Sequence, residues 1–187
     1  MLVLLLMAAQ IVDRQIAVAE ELADTQYYLI FGSNPDELAA EISRKGPDGF
    51  TAHTKWNIRT RYHYVKLDSG CLLDFSSVDL DIKYIMPKWA NKEDAPLKLQ
   101  RSWENWYAKL VAHENRHASN GEAAQRAIQH VFLLRSHSQT CAQLKRDIDS
   151  MTRDILARYA MKDERYDQLT NHGETEGINR IFTEGAN

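Results

Sequence analysis

The residues His113-Glu114-Asn115-Arg116-His117 form the pattern H-E-x-x-H, and on a helix that spacing is a chemical arrangement. Residues four apart on an α-helix stand one turn above each other on the same face. Two imidazoles so placed can each direct a nitrogen at one ion about 2.0–2.1 Å away. The glutamate beside the first histidine can then reach a water on that ion without ligating it. With seven histidines in the chain, chance supplies roughly 0.02 such matches. The alternative is a surface helix with two ordinary histidines. Against it, Trp106, Leu110, His113 and His117 share one helical face, and a core-facing imidazole pair without a partner is costly. The chemistry implied is hydrolysis with Zn2+ held by His113 and His117. Glu114 would take the proton of a metal-activated water and pass it to the leaving amine of a peptide or protein substrate.

A catalytic zinc usually has three protein ligands and one open position. The candidates for the third are Glu122, His130, His137, Asp167 and His172. On a continuous helix His130 lies about 20 Å beyond His117 and on the far side, and His137 is farther. Glu122 points about 140° away from His117 and could ligate only if the helix breaks at Ser119-Asn120-Gly121. His172 behaves differently. A turn near Ser138 reverses the chain, and an antiparallel return comes level with His117 near Tyr159 and with His113 near Asp163. The segment from Tyr166 to Gly173 then reads as a loop able to fold over the metal, with Gly173 allowing the turn that aims His172 inward. On this geometry a tail histidine in solvent is an equal alternative.

The elements that must position these groups follow from periodicity. Gln26 to Phe31 is aromatic and β-branched and reads as a strand, broken by Gly32-Ser33-Asn34-Pro35. Asn34 is a helix cap with Pro35 in the first turn, and Gly46-Pro47-Asp48-Gly49 ends that helix. Thr51 to Val65 alternates strictly. Ala52, Thr54, Trp56, Ile58, Thr60, Tyr62 and Tyr64 face one way, while His53, Lys55, Asn57, Arg59, Arg61 and His63 make a wet face. Asp68-Ser69-Gly70 is a hairpin turn, Cys71 to Met86 the returning strand, and Pro87 its stop. The stretch Val78 to Met86 reads either as a free edge for an extended peptide or as plain sheet surface. A helix then spans about Pro96 to Ala118, with a possible break at Ser119-Asn120-Gly121 before the pattern resumes to Arg135. A third helix runs from Cys141 to Met161 or beyond, with Leu144, Ile148, Met151, Ile155 and Tyr159 as its buried stripe. The fold class is α+β. The tryptophans read as core packing rather than a ligand platform.

Composition narrows the function. The chain has 187 residues, 44% of them hydrophobic, and a net charge of -3, so one domain over residues 20–187 is expected and no basic excess exists to bind nucleic acid. The apolar run Leu2 to Val12 is too short to span a bilayer, so no stable membrane insertion is expected. Followed by Ala17-Val18-Ala19, it reads as a signal peptide over residues 1–19, although no Lys or Arg precedes Leu2; a short buried helix is the alternative. A secreted or periplasmic location makes Cys71 and Cys141 a disulfide pair.

The chain resembles the predicted secreted zinc-dependent proteases of bacteria, a group long filed as a domain of unknown function. The resemblance rests on Tyr28-Leu29-Ile30-Phe31-Gly32, Trp56, Cys71, Pro87-Lys88-Trp89, Trp103, the H-E-x-x-H segment, Cys141, Tyr166-Asp167, Thr170 and His172-Gly173. It implies a small zincin-like domain and a metallopeptidase activity. It also implies His172 as third zinc ligand, with Asp167 next, as a ligand or as the partner that orients a histidine. Tyr166 is then a candidate oxyanion donor, or an ordinary packed tyrosine. A non-enzymatic exported module that binds zinc or an envelope protein is the rival reading, and a hydrolase of another bond is a third.

Overall fold

The structure, a computed structural model, describes residues 24–178, so the expected signal segment lies outside the described residues. The chain runs β1 (Thr25–Ile30), α1 (Pro35–Lys45), β2 (His53–Leu67), β3 (Gly70–Trp89), α2 (Leu97–Leu134), β4 (His137–Ser138) and α3 (Cys141–Thr170). This is the α+β class that the sequence predicts. Among the described residues no helix is long and apolar enough to cross a membrane.

Local chemistry sets the early elements. The Asn34 side chain accepts the N–H of Glu37 at 3.0 Å, and the N–H of Ser33 donates to the Glu37 carboxylate at 2.6 Å. The two bonds form a reciprocal cap that fixes the start of α1. In β2 the expected alternation is realised, with Thr54 buried and Lys55, Asn57, Arg59 and Arg61 exposed. β3 lies between β1, which runs parallel to it, and β2, which runs antiparallel. It continues through Pro87 to Trp89 rather than stopping. The ladder with β2 ends at Ile85 and Tyr28 of β1 takes the place opposite Pro87, so the missing N–H forfeits no bond to β2. β1 joins β3 from Tyr84 onward, and Gln125 Nε2 donates to the Val78 carbonyl at 2.9 Å. In the order β1-β3-β2, β1 and β2 each keep one side unpaired among the described residues, and it is β2 that borders the H-E-x-x-H helix.

α2 is one unbroken helix of 38 residues. The possible break at Ser119-Asn120-Gly121 does not occur, and the glycine has another purpose. A Cβ on Gly121 would lie 2.7 Å from Cγ of Trp56, so the bare backbone lets β2 approach the helix. Two apolar cores flank this point. Trp103, Trp106, Leu110 and Ala118 pack with Ile30, Leu38, Met86 and Trp89 in the first. Ala124, Ile128, Val131 and Phe132 pack with Leu144, Ile148 and Ile155 of α3 in the second. The H-E-x-x-H turn sits where they meet.

α3 also exceeds its expected length. Thr140 caps it, accepting the N–H of Gln143 at 3.2 Å, and the helix carries Tyr166 and Asp167 in its last turns. The segment expected to be a loop is therefore helical up to Thr170. The Cys71–Cys141 disulfide joins the start of β3 to the start of α3 across 70 positions of sequence.

Gly121→Ala is expected to destabilise the fold by about 1–3 kcal/mol, despite alanine's intrinsic advantage of about 1 kcal/mol in a helix. A lower urea midpoint would show it, and a gain in stability would contradict the close approach of Trp56.

Candidate metal centre

α2 supplies His113, Glu114 and His117, all buried in spite of their polarity. α3 returns antiparallel beside them and presents Asp163 and Asp167, again four residues apart. The result is a triangle of ligand atoms. His117 Nε2 lies 3.4 Å from His113 Nε2 and 3.1 Å from Asp167 Oδ1, and His113 Nε2 is 3.3 Å from the same oxygen. Ligands about 2.0–2.1 Å from a tetrahedral ion are separated by about 3.3–3.4 Å. The donor set, two imidazole nitrogens and one carboxylate oxygen, fits zinc chemically and in spacing. His113, His117 and Asp167 are the group able to hold a metal among the described residues.

The far nitrogens of both rings are also anchored. His113 Nδ1 donates to Glu176 Oε2 at 2.8 Å, and His117 Nδ1 donates to Asp163 Oδ1 at 3.2 Å. A carboxylate behind each imidazole fixes the ring's tautomer and direction and leaves Nε2 for the ion. These partners are themselves held. Asp163 accepts from Trp56 Nε1 and Asn120 Nδ2, each at 2.6 Å, and Glu176 accepts from the Tyr166 hydroxyl at 2.8 Å. Glu114 receives the Thr54 hydroxyl on Oε2 at 2.5 Å.

The charges follow from these contacts. Burial works against a charge on His117, but its hydrogen bonds to Asp163 and Asp167 outweigh burial and push its pKa up to about 10. His113 is raised for the same reason, burial opposing and Asp167 and Glu176 prevailing. Burial would raise the Asp167 carboxyl, yet the two imidazoles hold it well below the usual carboxylate range. Burial pushes Glu114 up, against the pull of Thr54 and the histidines. A raised carboxyl is a better proton acceptor.

The structure separates the other expected site residues. His172 is not in the ligand triangle: its ring stands against Phe50 with centroids 4.9 Å apart. Asp167, its alternative, takes the third place. Tyr166 stacks on His113 at 4.8 Å and lies edge-on to His117 at 5.4 Å. Its hydroxyl serves Glu176, and the residue is not in the cleft lining, a setting that makes it a support of the rings. Glu122 pairs with Arg126 on the surface, and His130 and His137 are exposed. Sequence reasoning missed Glu176, Thr54 and the anchoring role of Asp163. Asp163 had a signal, its four-residue spacing from Asp167, which mirrors that of the histidines. Glu176 had none, since it follows the helix in an aperiodic turn.

All three ligand residues and Glu114 line one cleft of about 820 Å³. So do the nine consecutive residues Gly49 to Asn57. Residues from both faces of β2 can line one cleft only if the strand turns its edge toward it.

Metal loading must displace protons from nitrogens that the carboxylates keep charged. Affinity is therefore expected to rise with pH from the acid side toward about 10, where His117 loses its proton. Calorimetric zinc titrations in buffers of different ionisation enthalpy should register proton release near neutral pH; binding without any would contradict the protonated pair.

No curated protein and no solved structure matches the chain. The family model described as "Bacterial protein of unknown function (DUF922)" matches residues 25–173, from the first strand through the turn that follows α3. The chain belongs to that bacterial family.

Proposed function

We propose that this protein is a zinc-dependent peptidase that works outside the reducing cytosol. One observation carries the reading: two imidazole nitrogens and a carboxylate oxygen stand 3.1–3.4 Å apart inside a cleft that also holds a buried glutamate. Three protein ligands leave one coordination position for water, and bound zinc supplies the Lewis acidity that brings such a water's pKa down toward about 7.

The residues of the chain do the remaining work. Thr54 holds Glu114 Oε2, which leaves Oε1 to accept a proton from water as its hydroxyl adds to the scissile carbonyl carbon. When the C–N bond breaks, Glu114 returns that proton to the departing amine. Asp163 and Glu176 keep both imidazoles aimed throughout. The edge of β2 beside the cleft offers unpaired backbone groups to an extended chain, and this favours a peptide over other acyl compounds. The disulfide supports an oxidising location, since such bonds are rare in reduced compartments.

Glu114→Ala should retain one zinc per chain while peptide cleavage falls by about 10²–10⁴-fold. Metal analysis alongside a peptide-cleavage assay separates the two effects. A wild type that holds zinc and cleaves no peptide would favour the non-catalytic metal-binding module.

Asp167→Ala should lose zinc affinity by well over tenfold, whereas His172→Ala should keep it. The reverse order in a zinc competition titration would return His172 to the ligand set.

A further inference from the structure

The two ends of the cleft differ in chemistry. Toward the middle of β2 it is lined by Lys55, Asn57, Asp163 and Glu164. At the opposite end the floor is apolar, with Leu110 and Ile178 each 1% exposed. Above this floor stand the paired rings of Phe50 and His172. Phe50 remains 44% exposed while lining the cleft, which leaves a large apolar surface open at the mouth of a site.

The backbone that delivers these rings is unusual. Phe50 follows Asp48 at φ 51° and Gly49 at φ 85°, and His172 has φ 51° itself, between Asn171 at 49° and Gly173 at 82°. Left-handed conformations at non-glycine residues cost free energy, and they persist where the surroundings over-determine them. The turn at Asn171–Gly173 is fastened that way. The His172 N–H donates to the Asp167 carbonyl at 2.8 Å, and the Ile178 N–H donates to the Gly173 carbonyl at 3.0 Å. A Cβ on Gly173 would sit 2.4 Å from Ile178 Cδ1, so Ile178 fills the space that the glycine leaves. The same turn thus fixes the wall through His172 and the floor through Ile178. It is bonded directly to the carbonyl of Asp167, the ligand residue.

We propose that the Phe50–His172 end of the cleft is a specificity subsite that receives a bulky apolar side chain of the peptide, next to the bond that is hydrolysed. This rests on the peptidase reading above. An apolar side chain here covers the open face of Phe50 and rests against the apolar floor of the cleft. A carboxylate or hydroxyl would lose water against that floor, which offers only hydrocarbon.

The test uses quenched-fluorescent peptides alike except for Phe, Leu, Ser or Asp beside the scissile bond. Cleavage by zinc-loaded wild type, Phe50→Ala and Phe50→Leu is compared. Binding of the same peptides to Glu114→Ala and to Glu114→Ala with Phe50→Ala is followed by fluorescence anisotropy. Wild type should prefer Phe and Leu by about tenfold or more in kcat/KM. Phe50→Ala should lose most of that preference, Phe50→Leu should keep it, and binding to the Glu114→Ala pair should follow the same order. No preference in wild type, or an equal loss on all four peptides in Phe50→Ala, would overturn the subsite. A binding preference without any cleavage would instead sink the peptidase reading and leave the subsite standing.

Discussion

Two pairs of side chains, each spaced four apart, face each other across antiparallel helices, and the site depends on their charges. His113 and His117 on α2 meet Asp163 and Asp167 on α3, with Glu176 closing the outer side. Buried imidazoles that carry protons need carboxylates in contact, and a buried carboxylate needs the imidazoles in turn. Neither helix could bury its polar turn alone. The pairing therefore does two tasks: it makes the helix contact tolerable at the junction of two apolar cores, and it leaves three ligand atoms at one ion's spacing. Its cost is offset on both sides of that junction, where Trp106, Leu110, Ile128 and Ile148 are almost wholly buried.

The sheet is tied to this arrangement by two successive inward-facing residues of β2. Thr54 holds the glutamate of α2, and Trp56 holds the aspartate of α3 behind the second imidazole. One strand thus sets the place of Glu114 and of a ring anchor, and its outer edge forms a wall of the cleft. Rigid elements carry each group, which is the usual requirement for a site whose geometry must hold within a fraction of an ångström.

Much of this was legible in the sequence because it was written in periodicity. The alternation along His53–Leu67, the Asn34-Pro35 helix start and the apolar stripe of α3 specified their elements directly. The level at which α3 passes the histidines follows from helix rise only to within one turn: Asp163 meets His117 and Asp167 meets His113, where Tyr159 and Asp163 are expected. Two readings failed for the same reason: an isolated residue type was given its average meaning. Gly121 reads as a possible helix break and Pro87 as a strand stop, yet each is accommodated by a neighbour, Trp56 in one case and the end of a ladder in the other. The third ligand was ambiguous because Tyr166–Thr170 lacks an apolar stripe and reads as loop. As helix, it points Asp167 at the histidine pair and carries His172 past it. Glu176 was invisible because its partner lies 63 positions earlier, and no local pattern encodes that meeting.

The hydrogen atom that serves as the side chain of Gly121 acts as a gauge for the whole cleft. The indole of Trp56 rests on it, the indole's backbone belongs to the strand that borders the opening, and its N–H reaches the aspartate behind His117. The gap between strand and helix is therefore set by the thickness of one peptide unit, and the width of the opening is decided at a residue outside its own lining.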